Sequence, residues 1–304
     1  LVQAGAVVTA NDRASADQLA GVQSELAGLP VQWALGGHPE RLFLESDALF
    51  VSPGVPQQLP PLVAARQRGV AVSSETQLFF ELCRGRIVGI TGSAGKTTTT
   101  TLTGAMLRDA GLRVYVGGNI GVPLLDRLDE IRPEDRVVLE MSSFQLEMLP
   151  YSPPIAAILN VTPNHLDRHG DMDSYVAAKA NIICRQRPED WAILNADDAV
   201  TSLVRAPGGV LWFSLQRPTE GAYLDGDQIV LSRGGSAERV CRVDEVRLRG
   251  RHNLANVAAA ATIASAAGAP VAALRTAVRA FRGVPHRLEI VGEVGGVVYC
   301  NDSI

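Results

Sequence analysis

One segment constrains the fold more than any other, because it joins an apolar run, a glycine-containing loop, a Lys-Thr pair and a helical pattern. The apolar run covers residues 86–91, and the loop with its Lys-Thr pair reads Gly92-Ser93-Ala94-Gly95-Lys96-Thr97-Thr98. The helical pattern extends over residues 102–110 and ends at Gly111. This order predicts a parallel strand, a tight loop and a helix that begins at the loop.

The chemistry of this loop suits phosphate. Glycine carries no Cβ, so backbone N–H groups can turn inward, and the helix N-terminus adds partial positive charge. Lys96 can reach the outer phosphates, and the hydroxyl of Thr97 can hold Mg²⁺. The usual pattern has a glycine where this chain has Ile90, so the loop is a shorter form. We expect this loop to bind a nucleoside triphosphate. The alternative is a glycine-rich turn that contains a Lys-Thr pair by chance.

Length and composition limit the function classes. A chain of 304 residues suits two or three domains, and its net charge of −4 gives a nucleic-acid partner no electrostatic support. The four cysteines are far apart in the sequence, which predicts neither a metal site nor a redox motif and fits the reducing cytoplasm. The uncharged, alanine-rich stretch 253–274 predicts a packed helix rather than a membrane span. The first residue is Leu1, and we expect no signal peptide.

Short apolar runs alternate with helical patterns, which predicts parallel sheets. We expect an α/β fold with a small N-terminal Rossmann-like domain, a central P-loop mononucleotide-binding domain and only the start of a C-terminal Rossmann-like domain. The predicted boundaries are 1–84, 85–283 and 284–304. Predicted strands cover 7–10, 31–33, 48–51, 70–72, 114–116, 137–139, 156–159, 191–194, 288–294 and 297–300. Predicted helices cover 17–27, 62–67, 253–267 and 271–281, and residues 208–249 are predicted to form an antiparallel appendage.

Two candidate metal ligands follow predicted strands. Glu140 ends the strand 137–139, at the sheet edge where phosphates should bind. Because Mg²⁺ prefers oxygen ligands, Glu140 is the natural partner of Thr97, although a solvated glutamate remains the alternative. His165 follows the strand 156–159, and a metal-binding role and a structural role are equally open.

Other polar residues are ambiguous by pattern alone. Lys179 lies in a helical pattern that predicts a surface lysine, and His169 is predicted to be a surface residue. Asn253 is either a helix cap or a base-reading amide, and Arg287 lies at a domain boundary where closure would bring it to nucleotide. For two further segments, the pattern fits either a ligand-binding loop or a plain turn: Gly117-Gly118-Asn119-Ile120-Gly121 and Asn195-Ala196-Asp197-Asp198.

Taken together, these motifs resemble those of the bacterial Mur ligases over nearly the whole chain. The Glu140-Met141-Ser142-Ser143-Phe144-Gln145 segment is similar to that of the member that adds D-glutamate, whereas the phosphate loop alone would also fit folylpolyglutamate synthases. The other segments that carry the resemblance are 91–97, 117–121, 160–167, 178–179, 194–198, 251–253, 286–287 and 301–303.

The resemblance implies an ATP-dependent acid–amino-acid ligase of peptidoglycan synthesis that forms ADP through an acyl phosphate. It implies UDP-N-acetylmuramoyl-L-alanine and D-glutamate as substrates, two Mg²⁺ sites and a carbamylated lysine at Lys179. It further implies a cytoplasmic monomer that binds neither nucleic acid nor membrane. The first domain would bind the UDP-substrate, the central domain ATP, and the last domain the amino acid.

The resemblance also assigns residues. Thr97 and Glu140 would hold one Mg²⁺, and His165 and carbamylated Lys179 the second. The nucleotide-binding residues would be Gly92, Ser93, Ala94, Gly95, Lys96, Thr97, Thr98, Asn253, Arg287 and Asp302. Among the substrate-binding residues, Asn119 would contact the muramoyl substrate, and the uracil-site loops would contain Asp12, Arg13, Ser52, Pro53 and Gly54. The catalytic residues would be Lys96, His165 and Lys179.

Two departures from the family pattern concern the ends of the chain. The first glycine-rich strand and loop of the family are missing, and the family's Asp-Ser-Lys-Ala-Thr-Asn motif stops after Asp302-Ser303. We therefore expect this chain to bind ATP but to be inactive in ligation. The alternatives are another Mur-type or folylpolyglutamate-type ligase, and a nucleotide-binding regulatory module without turnover.

Overall fold

The computed structural model describes residues 1–120, 123–287 and 289–303, with Ile290 described by its backbone. Contacts group the chain into two compact units, residues 1–74 and residues 75–304. Gly121 of the predicted glycine loop, Leu288 of a predicted strand and Ile304 lie outside the described residues. The division into three domains at residues 84 and 283 stays a prediction.

The first unit pairs its strands in parallel. Its strands are β1 (Val8–Asp12), β2 (Val31–Leu35), β3 (Ala48–Phe50) and β4 (Ala71–Ser73), and its helices are α1 (Ala20–Glu25), α2 (Glu40–Leu44) and α3 (Pro60–Gln67). β1 pairs with β2, and β3 pairs with β4. Leu62 and Ala65 of α3 are fully buried, and Phe43 of α2 is buried. α1 is shorter than the predicted helix 17–27, because turns replace helix at both ends.

A six-stranded parallel sheet forms the centre of the second unit. Its strands are β5 (Arg86–Thr91), β6 (Val114–Gly118), β7 (Arg136–Glu140), β8 (Ile155–Ile158), β9 (Trp191–Asn195) and β10 (Gly209–Phe213). The strand order is β10-β9-β8-β5-β7-β6, so β5 lies between β8 and β7. After β5, the chain forms β6 and β7 on one side of β5, and it then adds β8 on the other side. Ligands of open α/β sheets bind at the carboxyl end of such a strand.

Helices cover both faces of this sheet. They are α4 (Glu75–Leu82), α5 (Lys96–Asp109), α6 (Ser143–Met148), α7 (Leu166–His169), α8 (Met172–Ala180), α9 (Arg251–Ala266) and α10 (Val271–Ala280). Val88 and Ile90 of β5 belong to the core formed with α5, α9 and α10, whereas Ile87 belongs to the core on the opposite face. Because alternate side chains enter two buried cores, each strand reads as a continuous apolar run.

The alanine-rich helix α9 is buried along most of its length. It packs against α5, against the central sheet and against a three-stranded antiparallel sheet of β11 (Gly221–Asp225), β12 (Gln228–Arg233) and β13 (Ser236–Arg242). Thr262 binds β11 directly, since its hydroxyl accepts a 2.9 Å hydrogen bond from the N–H of Ala222. Alanine side chains let the helix pack closely on neighbours on several sides. Among the described residues, no helix meets the length and hydropathy needed to cross a membrane.

The structure corrects two predicted elements. α5 begins at Lys96, six residues before the predicted start, because packing overrides the low helix propensity of the threonine run 97–101. The segment 208–249 is only partly an antiparallel appendage, since β10 joins the central sheet in parallel beside β9. Near the end of the chain, β14 (Glu289–Val294) and β15 (Val297–Asn301) form an antiparallel hairpin.

Candidate functional site

The loop between β5 and α5 is held by the neighbouring strand β8. Asn160, two residues after β8, accepts hydrogen bonds from Ser93 N–H at its backbone oxygen (3.0 Å) and from Ala94 N–H at its side-chain oxygen (2.9 Å). Its side-chain NH₂ donates to the carbonyl of Ala94 at 3.0 Å. Asn160 was not predicted to contact the loop, although its position just after a strand is a usable signal.

Gly95 can only be glycine here, for two reasons. Its φ is +80°, and a Cβ would collide with the side-chain amide oxygen of Asn256. That amide group donates a 2.9 Å hydrogen bond to the side-chain oxygen of Asn253, and Asn253 in turn donates to the carbonyl of Arg249 at 2.6 Å. Asn253 is the third residue of α9 rather than its cap, and a buried amide chain links it to the phosphate loop.

Lys96 and Lys179 both donate to the carbonyl oxygen of Gly92, at 3.1 and 2.9 Å. Lys179 is only 2% exposed, so the surface position predicted from the helical pattern was wrong. A nine-residue helix does not reveal by pattern which face meets the loop. Burial, with the charge of Lys96, lowers the pKa of Lys179 to about 7. Burial also lowers the pKa of Lys96, and Arg287 adds to this effect while Glu140 opposes it.

Thr97 and Glu140 meet at the carboxyl end of the sheet. The Thr97 hydroxyl donates a 2.8 Å hydrogen bond to Glu140 Oε2. Asn119 donates to the other carboxylate oxygen at 3.1 Å and, through its backbone N–H, to the Glu140 carbonyl at 2.8 Å. Gly118, just before it, has a φ of +93° and passes so close to Glu140 that a Cβ would overlap the same carbonyl oxygen. Two of the predicted metal ligands, Thr97 and Glu140, therefore form one cluster with the predicted substrate residue Asn119.

The hydroxyl and carboxylate oxygens of Thr97 and Glu140 fit Mg²⁺, which takes oxygen ligands and shares substrate phosphates. Within the described parts of the chain, no three His, Cys, Asp or Glu side chains are grouped as a metal site. His165 with a charged Lys179 does not fit a metal, because an ammonium group has no free electron pair to offer. A second metal site there requires the lysine in a form other than its ammonium.

The two histidines flank Phe144. His165, which has a φ of +54°, contacts the Phe144 ring edge-on at 5.3 Å, and His169 stacks on that ring at 5.1 Å. His169 also shares a 2.9 Å hydrogen bond with Ser143 Oγ and is half-buried. Burial lowers the pKa of His169. The sequence gave no signal for this ring cluster, since its members come from two separate segments.

A cavity of about 740 Å³ opens beside the loop. Two predicted nucleotide residues, Arg287 and Asp302, line it together with Asn253 and the loop residues Ala94, Gly95 and Thr98. Three further arginines, which were not among the predicted site residues, also line the cavity: Arg247, Arg249 and Arg282. Their closeness in the sequence to Asn253 and Arg287 could have indicated a place in the same site. A cavity with several guanidinium groups suits a phosphorylated ligand.

The predicted uracil-site residues lie in the first unit. Asp12 ends β1 and accepts a 2.8 Å hydrogen bond from Ala14 N–H, and Arg13 follows it. Ser52, Pro53 and Gly54 lie in the loop soon after β3. In the second unit, Asp198 accepts hydrogen bonds from the N–H groups of Val200 and Thr201, which is the arrangement of a turn.

Comparison with known proteins places this geometry in a family. The model of the Mur ligase middle domain matches residues 90–264. The UDP-N-acetylmuramoylalanine–D-glutamate ligase of Symbiobacterium thermophilum is 47% identical over 309 residues, which cover 100% of this chain and 68% of the relative. The enzyme of the same name from Pelotomaculum thermopropionicum is 43% identical, with the same coverage.

Solved structures share the fold. A murein peptide ligase from Psychrobacter arcticus matches 99% of this chain and 68% of its own with a TM-score of 0.61 at 20% identity. The UDP-N-acetylmuramate–alanine ligase of Thermotoga maritima matches 95% of this chain and 66% of its own with a TM-score of 0.55 at 20% identity. The phosphate loop, the α/β architecture and the relatives agree, and the chain belongs to the Mur ligase family, the ATP-dependent ligases of peptidoglycan synthesis.

Proposed function

We propose that the chain carries the ATP and UDP-substrate sites of a ligase that joins D-glutamate to UDP-N-acetylmuramoyl-L-alanine. The observation that carries the proposal is the cluster of Lys96, Thr97 and Glu140 at the carboxyl end of β5. The choice of substrates is supported by relatives of that name that match the whole chain at 47% and 43% identity. They are longer than this chain, which spans about two thirds of their length.

The nucleotide would bind along the loop and into the cavity. The Lys96 ammonium and the N–H groups where the loop enters α5 would hold the β- and γ-phosphates, because a helix N-terminus that follows a glycine loop attracts phosphate. Asn253 would face the adenine, while Arg287 and Asp302, both in the cavity wall, would contact the nucleotide. Lys96 has to leave the carbonyls of Gly92 and Ser93 to reach a phosphate.

Thr97 and Glu140 would hold one Mg²⁺, which supplies positive charge between two anionic reactants. His165 and Lys179 would hold a second if Lys179 carries a carbamate, an anionic oxygen ligand in place of an ammonium. The burial of Lys179 beside Gly92 supports this assignment, since an unmodified buried ammonium is poorly solvated. Neutral amine is the form that reacts with CO₂.

The proposed chemistry has two steps. A carboxylate oxygen of UDP-N-acetylmuramoyl-L-alanine attacks the γ-phosphorus of ATP, and the bond between that phosphorus and the β,γ-bridging oxygen breaks. ADP departs, and the substrate carries an acyl phosphate. The amine of D-glutamate then attacks the acyl carbon, and inorganic phosphate leaves the tetrahedral intermediate as the amide forms. The chain contributes chiefly by positioning and by the charge of Lys96. Asn119 would contact the muramoyl substrate, and Asp12, Arg13, Ser52, Pro53 and Gly54 the uracil side, in a cytoplasmic monomer.

Calorimetry with Mg·ATP tests the nucleotide site on the chain itself, and Lys96→Met should abolish the binding heat. The substrate assignment is tested by ADP release from the chain joined to the segments of the Symbiobacterium relative that lie outside the matched 68%. We expect release only when both UDP-N-acetylmuramoyl-L-alanine and D-glutamate are present. ADP release that ignores D-glutamate would contradict the assignment and favour another ligase of this type. Binding of ATP without turnover in any combination would favour a regulatory module.

A further inference from the structure

Tyr175 of α8 contacts the phosphate loop, and it is not one of the nucleotide, metal or substrate residues named above. Its phenol oxygen lies 3.1 Å from Ser93 Oγ, and its side chain is 1% exposed. Ser93 is the second residue of the loop, between Gly92 and the Asn160-bound Ala94. The contact therefore joins a fully buried aromatic side chain to the segment whose N–H groups would meet phosphate.

The proton of each hydroxyl can be assigned from the partners. Ser93 has one hydroxyl proton, and it donates this proton to the carbonyl of Thr162 at 3.0 Å. Its oxygen accepts from Thr162 N–H at 3.0 Å. The remaining bond at 3.1 Å must then be donated by the Tyr175 hydroxyl. Ser93 Oγ thus has three partners, and two of its three bonds go to the segment that follows β8.

Tyr175 and Lys179 stand four residues apart in α8, so they share one face of the helix. The ammonium of Lys179 lies 4.6 Å from the centre of the Tyr175 ring and donates to the carbonyl of Gly92. One helix face therefore holds two consecutive loop residues, Gly92 through its carbonyl and Ser93 through its hydroxyl. The ring also fixes where the Lys179 side chain can go.

We propose that Tyr175 is a positioning residue for nucleotide binding, which acts through Ser93 by fixing the loop segment that leads into the N–H groups at the start of α5. The inference rests on the proposed ATP site. A loop whose N–H groups are already aimed binds phosphate without an ordering cost. Removing the Tyr175 hydroxyl leaves Ser93 with its two bonds to Thr162, so the loop stays folded but is less well fixed on the α8 side.

The test compares two Tyr→Phe variants that each remove one phenolic hydrogen bond. Tyr175→Phe removes the bond to Ser93, while the control Tyr115→Phe removes a 3.2 Å bond to the carbonyl of Glu130. Calorimetry measures the Kd of Mg·ADP, and thermal unfolding measures Tm. We expect Tyr175→Phe to weaken Mg·ADP by about three- to tenfold, the loss of roughly one hydrogen bond. The control should lower Tm to a similar extent and leave Kd unchanged.

A double-mutant cycle with Ser93→Ala isolates the contact. If Tyr175 acts through Ser93, the double variant should bind Mg·ADP no more weakly than Ser93→Ala alone. Additive effects on Kd, or an unchanged Kd in Tyr175→Phe while the unsubstituted chain binds normally, would overturn this inference and leave the proposed function intact. Failure of the unsubstituted, folded chain to bind Mg·ADP would overturn the proposed function together with the inference.

Discussion

Lys96 and Lys179 donate hydrogen bonds to the same atom, the carbonyl oxygen of Gly92, at Nζ–O distances of 3.1 and 2.9 Å. They are the only two lysines in the sequence, and the other 26 of its 28 basic residues are arginines. Two ammonium groups on one carbonyl repel each other, which contributes to the lowered pKa of Lys179. Burial and nearby positive charge lower the pKa of both ammonium groups, so both lose a proton more easily than ordinary lysines.

The buried Lys179 predicts how stability depends on pH. Its pKa is about 7 in the folded chain, against about 10.4 for an unperturbed lysine. Between these values the unfolded chain binds more protons, so the free energy of unfolding should rise with pH. The full shift sets an upper limit of roughly 5 kcal/mol on this rise. Urea unfolding from about pH 7 to about pH 10 measures it, and Lys179→Met should flatten the curve. An equal rise in Lys179→Met would contradict the assignment.

Glu140→Gln separates the metal from the nucleotide. The amide keeps the shape of the carboxylate, its oxygen can still accept from Asn119, and its NH₂ can donate to a turned Thr97 hydroxyl, but the charge that favours Mg²⁺ is removed. We expect Mg·ATP to bind about tenfold or more weakly, a loss of roughly 1.4 kcal/mol or more. In the presence of EDTA, the variant should bind ATP at least as tightly as the unsubstituted chain does. Calorimetry measures both affinities, and the matched control is Glu130→Gln, which breaks an exposed ion pair with Arg127.

Gly95→Ala tests the contact between the loop and α9. Gly95 and Gly111 have φ values of +80° and +79°, yet a Cβ meets the side-chain amide of Asn256 only at Gly95 and nothing within 4 Å at Gly111. Both substitutions should cost about 1–2 kcal/mol for a left-handed backbone. Gly95→Ala should cost more and should also abolish Mg·ATP binding. Denaturant unfolding and calorimetry give the two readouts, and equal losses of stability in both variants would rule out the collision.

The four cysteine thiols should differ in the rate at which they react with an alkylating reagent. Cys184 and Cys300 are exposed, whereas Cys241 is fully buried and burial raises the pKa of its thiol to about 12. Burial also raises the pKa of the half-buried Cys83. Because the thiolate is the reactive form, a short pulse of N-ethylmaleimide should modify Cys184 and Cys300 and spare Cys241 until urea is added. Peptide mass spectrometry locates the adducts, and early modification of Cys241 would contradict the packing of β13.

Part of the candidate site could be read from the sequence, because its signals are local. Gly92 to Thr97 carry a loop pattern, and Glu140 carries the position of a strand end. The parallel sheet follows from buried apolar runs, and those runs are visible without knowing which strand pairs with which. The helix over the threonine run was placed too late, because propensity there opposed the packing that decided the outcome.

Other features required the folded chain. Asn160 reaches the loop because β8 lies next to β5, and strand order is a long-range property that spacing does not encode. Lys179 and Tyr175 were indistinguishable from ordinary helix residues until α8 packed its inner face on the loop. β10 joined the parallel sheet instead of the antiparallel one for the same reason, since only tertiary packing decides which edge a strand meets.

The sequence by itself determined that this chain builds a phosphate-binding loop on a parallel sheet, because glycine, lysine and threonine have fixed local chemistry at that spacing. The tertiary structure decided which side chains from distant helix positions contact the loop. It brought Lys179 beside Lys96 and Tyr175 beside Ser93, residues that are 83 and 82 positions apart. Burial and charge at such contacts depend on neighbours that the chain reaches only after it has folded.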